Sequence, residues 1–224
     1  MNDRIIVQAM VISSMPIGEY DRRLLLLTDE LGKISAFIKG GRRIASPLLG
    51  AGRLFGFGRF ELFAGRSSYS VKAAEIKEGF DFLSEDPEAL CYASYFAELA
   101  DYYGQEGSGD ALLLKLLYMA VRSLKNPNLN RALLRYAFEL KLIQIQGEAP
   151  AEPETELDAS AEKAWHFVRD QELEKCFLFT LKPEAFRDFA QAVSRLRTEK
   201  IDRHFRSLTV LEDFIRLKEE MSRQ

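Results

Sequence analysis

The sequence predicts a two-domain α+β protein, with a small five-stranded β-barrel first and an all-α domain after it. Up to about residue 80, short apolar runs are separated by glycine-marked turns, which is typical of small closed barrels. From Asp86 onward the apolar residues recur at helical spacing. We therefore expect a barrel domain at residues 1–80 and an α-helical domain at residues 81–224, with an irregular acidic loop near 148–159.

Five segments of the first domain have the composition of strands, and each is bounded by Gly, Pro, Asp or Ser. Gly56 and Gly58 predict a bend or a bulge in the fourth segment. Among barrels of this size, the oligonucleotide-binding (OB) barrel is the simplest fit to five short strands with glycine-marked corners. The predicted strands are 5–12, 23–28, 34–39, 55–63 and 69–74, and residues 16–21 are predicted to form a turn.

The second domain carries helix start and stop signals. Pro87 follows an aspartate at a predicted helix start, and Gly147 comes just after a predicted helix end. The third helix is predicted to bury its leucines and to expose Arg131, Arg135 and Lys141. The six predicted helices begin near residues 86, 108, 129, 160, 183 and 207, and residues 176–181 are left without an assignment.

The charge of the chain is divided unevenly between the two predicted domains. The formal net charge is −3. Residues 1–80 hold twelve Lys and Arg against eight Asp and Glu, a balance of +4, and residues 81–224 have a balance of −7. A basic first part and an acidic remainder indicate two domains with different partners.

The sequence lacks the marks of a membrane or exported protein. No run approaches the ~18 apolar residues of a membrane-spanning helix, and residues 1–4 do not lead into a secretory signal. We expect a cytoplasmic protein without membrane contact. Its two cysteines, Cys91 and Cys176, are then expected to be reduced, buried thiols.

A paired glycine between basic residues, Lys39-Gly40-Gly41-Arg42-Arg43, is the strongest candidate site. Residues 33–72 contain eight Lys or Arg and one acid, Glu61, a composition that suits a polyanion such as nucleic acid. Interleaved aromatic residues could stack on bases, but a small barrel also needs phenylalanines for its core. We expect most of Phe37, Phe57, Phe60 and Phe63 to point inward. The candidate nucleic-acid-binding residues are Lys39, Arg42, Arg43, Arg53, Arg59 and Arg66.

The sequence shows no arrangement that predicts catalysis or metal binding. Gly56 and Gly58 lack the third glycine of a dinucleotide fingerprint, and Gly40-Gly41 is not followed by Lys-Ser/Thr as in a phosphate-binding loop. His166 and His204 lie at no metal-ligand spacing from a cysteine. We expect a binding protein rather than an enzyme, with no catalytic residues and no metal.

The order of several motifs resembles the RecO family of bacterial recombination mediators. Gly18-Glu19-Tyr20-Asp21-Arg22 is similar to that family's Gly-Glu-x-Asp-Arg segment, and Lys39-Gly40-Gly41-Arg42-Arg43 is similar to its Lys-Gly-x-Arg-Arg loop. Phe60-Glu61-Leu62-Phe63 and the helical segment 135–142, ending near Gly147, follow in the same order. The resemblance covers essentially the whole chain.

The resemblance implies a non-enzymatic mediator of DNA repair in the RecF pathway. RecO-like proteins bind single- and double-stranded DNA, anneal complementary strands, engage RecR, recognise the acidic C-terminal tail of single-stranded-DNA-binding protein (SSB) and help load RecA onto SSB-coated DNA. In this chain, Arg131 or Arg135 could lie near the carboxylates of such a tail. Many members carry a four-cysteine zinc cluster, but the matching segment 147–176 has one cysteine, so no zinc cofactor is expected.

Other interpretations remain open at the level of the sequence. The barrel could be a protein-interaction scaffold that contacts no nucleic acid, and the basic loop could simply be a solvated surface. An RNA-binding OB protein is a third possibility, because OB barrels bind both nucleic acids. Cations clustered on one exposed barrel face would favour nucleic acid over the scaffold.

Overall fold

A computed structural model describes residues 4–66 and 68–222 of the chain. Its element order confirms the predicted fold class, because a closed barrel of five strands precedes six α-helices in the described part. The strands are β1 Arg4–Ile17, β2 Asp21–Thr28, β3 Lys33–Ile38, β4 Phe57–Ala64 and β5 Tyr69–Glu78. The helices are α1 Pro87–Tyr103, α2 Ala111–Ser123, α3 Arg131–Ile145, α4 Ala159–Asp170, α5 Pro183–Lys200 and α6 Arg206–Ser222.

The barrel closes in the order β1-β2-β3-β5-β4. The long strand β1 pairs with β4 through its first half and with β2 through its second half. An irregularity between Val11 and Ser13 lies between the two halves, where an extra residue lets a strand bend. The last closure is the short parallel pairing of β3 with β5. Alternate residues of these strands point inward and form the barrel core, which includes Val7, Leu24, Ile34, Phe60 and Leu62.

Several predicted boundaries in the barrel were wrong, including the end of β5, which continues to Glu78 rather than stopping at residue 74. The turn predicted at 16–21 is shorter, because β1 continues through Ile17 and β2 begins at Asp21. Pro16 is tolerated two residues from the turn, where few ladder hydrogen bonds remain to be made. The fourth strand begins at Phe57 rather than Phe55, because Phe55 has a φ of 64°, which a regular strand does not allow.

The Cα positions divide the chain into two compact units. The first contains the described part of Met1–Phe82 together with Ala97–Leu114, and the second contains Leu83–Phe96 and Lys115–Gln224. The domain boundary predicted at residue 80, between segments that would fold independently, stays a prediction. Within the first unit, Lys33 Nζ donates to the Asp101 carbonyl oxygen at 2.6 Å and pairs with the Asp101 carboxylate at 2.9 Å. Lys33 thereby satisfies a carbonyl in the last turn of α1.

The second unit is built around α3. The side chain of Asn130 accepts a hydrogen bond from the Leu133 backbone N–H at 3.0 Å, an N-cap that stabilises such a helix by about 1 kcal/mol. Phe138 on this helix packs against Phe96, with ring centroids 4.4 Å apart. Pro183 occupies the first turn of α5 as predicted. Among the described residues, no helix is long and apolar enough to cross a membrane.

Candidate nucleic-acid interface

The basic loop after β3 is fixed by the turn between β1 and β2. Asp21 Oδ1 accepts a hydrogen bond from the Gly40 backbone N–H at 2.8 Å. The Arg42 backbone N–H donates to the Tyr20 carbonyl oxygen at 2.9 Å, and Arg42 Nη1 donates to the Gly18 carbonyl oxygen at 3.0 Å. Gly40 has a φ of +65°, which glycine adopts without steric cost. The two motifs that carry the family resemblance therefore bind each other directly.

The second glycine of the loop is required by close packing. A Cβ atom at Gly41 would lie 2.4 Å from Ile38 Cγ2, and one at Gly52 would lie 2.6 Å from Arg22 Cδ. Arg22 Nη1 donates to Ser14 Oγ at 3.0 Å, and Ser14 Oγ donates to the Gly52 carbonyl oxygen at 2.6 Å. Arg22 therefore supports the far end of the loop and is not a free cation.

Lys39, Arg42 and Arg43 are exposed at this loop. The Arg43 guanidinium lies over the Tyr20 ring, 4.7 Å from its centroid, and the Arg43 N–H donates to the Gly40 carbonyl oxygen at 3.0 Å. Among the described residues, no Asp or Glu oxygen lies within 4.0 Å of a side-chain nitrogen of these three cations. The sequence prediction therefore falls on a positive surface whose charge is not neutralised by ion pairs.

The other three predicted cations have different surroundings. Arg53 lies in the same connection but pairs with Asp81 at 2.9 Å, and both side chains are exposed. Arg59 is exposed on β4, opposite Gln8 of β1 and Glu75 of β5, and β4 is not a neighbour of β3 in the barrel. Arg66 is exposed in the turn after β4. The structure therefore brings Lys39, Arg42 and Arg43 together and gives Arg53 an acidic partner.

Sequence reasoning missed an outward row of residues across the barrel. Arg23 on β2 is opposite Phe37 on β3, Phe37 is next to Ser70 on β5, and Ser70 is opposite Phe63 on β4. Lys72 Nζ lies 5.6 Å from the centroid of the Phe63 ring. Both phenylalanines are half-buried, so the row presents two aromatic rings beside cations.

The sequence predicted that most of Phe37, Phe57, Phe60 and Phe63 point inward. This prediction was wrong for Phe37 and Phe63. Phe60 is in the barrel core, and Phe57 is buried. The neighbours Ala36 and Ile38 of Phe37 are both core residues, and strand alternation then turns Phe37 outward. The same alternation turns Phe63 outward beside Leu62, so strand parity was the signal that could have identified both residues.

The predicted exposure of Arg131, Arg135 and Lys141 on α3 was also wrong. Arg135 and Lys141 are each only 6% exposed. Arg135 Nε donates to Glu139 Oε1 at 2.9 Å, and Lys141 Nζ donates to the Arg169 and Gln171 carbonyl oxygens at 2.7 and 2.9 Å. The exposure was misjudged because charged residues can be buried when nearby carboxylate and carbonyl groups satisfy them.

Arg131 and Arg135, which were predicted to bind the acidic tail of another protein, are already bound to acids of this chain. Arg131 Nη1 donates to Asp86 Oδ1 at 3.0 Å and lies 3.6 Å from a Glu88 oxygen. Glu139 also accepts a hydrogen bond from the Tyr95 hydroxyl at 2.7 Å. A tail carboxylate would therefore compete with acids already bound. The tail site stays a prediction, and it requires displacement of those acids.

The family's four-cysteine zinc cluster does not fit this chain. The chain contains two cysteines, both free. Cys176 is buried, and burial raises the pKa of its thiol to about 12, whereas Cys91 is only partly buried, so the prediction of two buried thiols was wrong for Cys91. Within the described part of the chain, one other group could supply ligands: Glu152, Glu162 and His166 have ligand atoms within 4.8 Å of one another. Both glutamates are exposed, and such groups are common on surfaces without an ion. The absence of a cofactor stays a prediction.

The structure thus defines an OB-type barrel protein with an α-helical second unit. Its basic loop is held in place by hydrogen bonds, and the cations of this loop have no acidic partner among the described residues. Family comparison agrees with this class. Residues 1–80 match the model of the recombination protein O N-terminal region, and residues 84–154 match the model of the C-terminal region of the same family. Together the two matches cover more than half of the chain. The chain belongs to the recombination protein O family.

Curated relatives agree with this assignment. The chain is 37% identical to the DNA repair protein RecO of Alkaliphilus metalliredigens over 143 residues, 64% of this chain and 58% of that protein. It is 31% identical to the Clostridium novyi protein of the same name over 140 residues, 62% and 55% of the two chains. The Symbiobacterium thermophilum protein is 34% identical over 145 residues, 65% and 57%. The chain spans little more than half the length of the relatives it matches.

Proposed function

We propose that this protein is a non-enzymatic, cytoplasmic DNA-binding mediator of recombination and repair. The observation that carries the proposal is the fixed loop with three exposed cations, Lys39, Arg42 and Arg43, none of which is paired with an acid among the described residues. Such a loop neutralises backbone phosphates without reading sequence. Membership of a family whose curated relatives are named DNA repair proteins supports DNA as the ligand.

The outward row on the barrel extends this site toward the bases. Single-strand-binding barrels combine a basic track with aromatic rings on which bases stack. Phe37 and Phe63, next to Arg23 and Lys72, supply such a combination. We propose that one strand binds along this row and the loop, and that neutralising its phosphates lowers the repulsion of a complementary strand. Annealing and binding to duplex DNA are consequences of this proposal.

The family resemblance also suggests partners, namely RecR, the acidic C-terminal tail of SSB and, indirectly, RecA. We include them in the proposal as the assembly in which strand binding would be used. Their contact surfaces on this chain are not assigned, apart from the tail prediction for Arg131 and Arg135. A pull-down with each purified partner tests the assembly separately from DNA binding.

The DNA proposal is tested by fluorescence anisotropy of a labelled single-stranded oligonucleotide at 50 and 200 mM salt. If Lys39, Arg42 and Arg43, with Arg23 and Lys72 of the outward row, neutralise about five phosphates, log K should fall against log salt with a slope near −3.5. The variant Arg42→Ala/Arg43→Ala should bind about tenfold or more weakly at low salt, irrespective of base sequence. The variant Arg187→Ala/Arg216→Ala removes the same charge from exposed positions on α5 and α6 and should bind like the wild type.

The result that would overturn the proposal is absence of salt-dependent binding by the wild type at 50 mM. That result would favour the second candidate function, a protein-interaction scaffold. The observation in favour of a scaffold is the set of exposed apolar side chains near the loop, including Met15 at 51% and Ile44 at 96%. Equal binding by the two double variants would instead place DNA elsewhere on the chain.

A further inference from the structure

Exposed apolar side chains are concentrated around the basic loop. Six of the twelve exposed large apolar residues found among the described residues lie in two short segments, 15–20 and 44–54. Single exposed apolar residues are ordinary on a protein surface, whereas a group of them indicates a contact surface. The six, which we call the tip residues, are Met15, Ile17, Tyr20, Ile44, Leu49 and Leu54.

The two segments are held close to each other by hydrogen bonds that involve them or their near neighbours in the chain. The β1–β2 turn accepts hydrogen bonds from Arg42 at Tyr20 and Gly18, and Ser14 binds the Gly52 carbonyl oxygen. Two successive backbone turns carry the chain from Arg43 past Ile44, because the Ser46 N–H donates to the Arg43 carbonyl oxygen at 2.9 Å. The Leu49 N–H then donates to the Ser46 carbonyl oxygen at 3.2 Å.

Ile44 is the most exposed of the tip residues, at 96%. It follows Arg42 and Arg43 directly in the chain, so any strand whose phosphates bind these arginines has its sugars and bases within reach of the isoleucine. Proteins that bind the minor groove of duplex DNA insert isoleucine, leucine or methionine as wedges between stacked base steps, and the same apolar contact is available between stacked bases of a single strand. Burial against base faces removes apolar surface from water.

We propose that Ile44 is an apolar wedge that enters between adjacent unpaired bases of the strand bound by Lys39, Arg42 and Arg43. The inference rests on the proposed DNA-binding function and adds that the loop contacts bases as well as phosphates. The charge of the loop favours nucleic acid as the occupant, because three exposed cations without acidic partners lie within five residues of the exposed Ile44, a combination that suits a polyanion with apolar base faces.

The test uses a single-stranded oligonucleotide that carries the fluorescent base 2-aminopurine within a run of adenines. Its fluorescence rises when the base loses its stacked neighbours. Wild-type protein should raise the fluorescence on binding, and Ile44→Ala should lose most of that rise and bind about five- to tenfold more weakly. Ile44→Leu should keep both effects. Leu178→Ala, which truncates a 64% exposed leucine between α4 and α5, is the matched control and should behave like the wild type.

The outcomes separate this inference from the function on which it rests. If the wild type fails to bind the oligonucleotide, the proposed function fails. If the wild type binds and Arg42→Ala/Arg43→Ala weakens binding, but Ile44→Ala equals the wild type in both affinity and fluorescence, the wedge is overturned while DNA binding stands. An Ile44→Ala effect on self-association or on binding to anionic vesicles, with DNA binding unchanged, would also overturn the wedge.

Discussion

The basic loop after β3 and the helix α3 use arginines in opposite ways. Arg42 and Arg43 are exposed and have no acidic partner within ion-pair distance among the described residues, whereas Arg135 is 6% exposed and is bound to Glu139. The loop arginines can bind an external anion at little cost. The helix arginine cannot be released without leaving a charge buried, which is strongly unfavourable. Arginines that look alike in the sequence are therefore distinguished by the partners that the fold gives them.

The buried pair of Arg135 and Glu139 predicts the largest effect. Glu139→Ala removes the acid that accepts from Arg135 Nε and from the Tyr95 hydroxyl. Of its ion pairs, the buried Arg135 then keeps the 3.4 Å contact with the exposed Glu212. We expect the free energy of unfolding to fall by about 3–5 kcal/mol, measured by urea denaturation. The double variant Arg135→Met/Glu139→Met should lose less than Glu139→Ala, because it removes both charges together. A loss below 1 kcal/mol in Glu139→Ala would contradict the structural role.

The exposed loop arginines predict a larger change in DNA binding than in stability. For Arg42→Ala/Arg43→Ala, the slope of log K against log salt on single-stranded DNA should become shallower by about 1.4, since each lost phosphate contact contributes about 0.7. The urea midpoint should fall only slightly, because the Arg42–Gly18 hydrogen bond and the Arg43–Tyr20 contact that the double variant removes are both exposed to solvent. An unchanged slope in the double variant would show that these arginines do not contact phosphates.

Asp21 tests whether the loop must be held in place. Asp21→Ala removes the acceptor of the Gly40 N–H bond, which should lower stability by about 1 kcal/mol. Removing a negative charge beside a DNA site should by itself strengthen binding. If Asp21→Ala binds single-stranded DNA more weakly in the anisotropy assay, the position of the loop matters more than the lost charge. Asp21→Asn keeps an acceptor without the charge, so it should bind more tightly than Asp21→Ala. Tighter binding by both variants would contradict a positioning role.

Asp86 predicts the smallest effect, a pH dependence of stability. The hydrogen bond from Arg131 lowers the pKa of the Asp86 carboxyl below its ordinary value of 3.8. Because the folded-state pKa is the lower one, the pair's contribution is complete above pH ~4 and is lost as the pH falls through the folded-state pKa. Asp86→Asn should reduce the urea midpoint slightly at pH 7, and the difference from the wild type should shrink at pH 3. A constant difference at both values would contradict the ion pair.

Much of the fold could be predicted from local patterns. Alternating apolar residues located the five strands, and Pro87, Pro183 and Gly147 marked helix ends correctly to within a few residues. These signals succeed because they reflect the conformational limits of single residues and the two side-chain periods of helix and strand. The same local logic located the loop cations Lys39, Arg42 and Arg43, since paired glycines and clustered charge are visible in the sequence itself.

Residue patterns alone therefore established the fold class, most of the element positions and the exposed basic loop. The packing of distant elements decided that Arg131 binds Asp86, that Arg135 is buried, and that the β1–β2 turn holds the loop. The physical reason is distance along the chain. Asp21 and Gly40 are 19 residues apart, and Tyr95 and Glu139 are 44 apart. Such pairings depend on how whole elements pack, which local propensity does not encode.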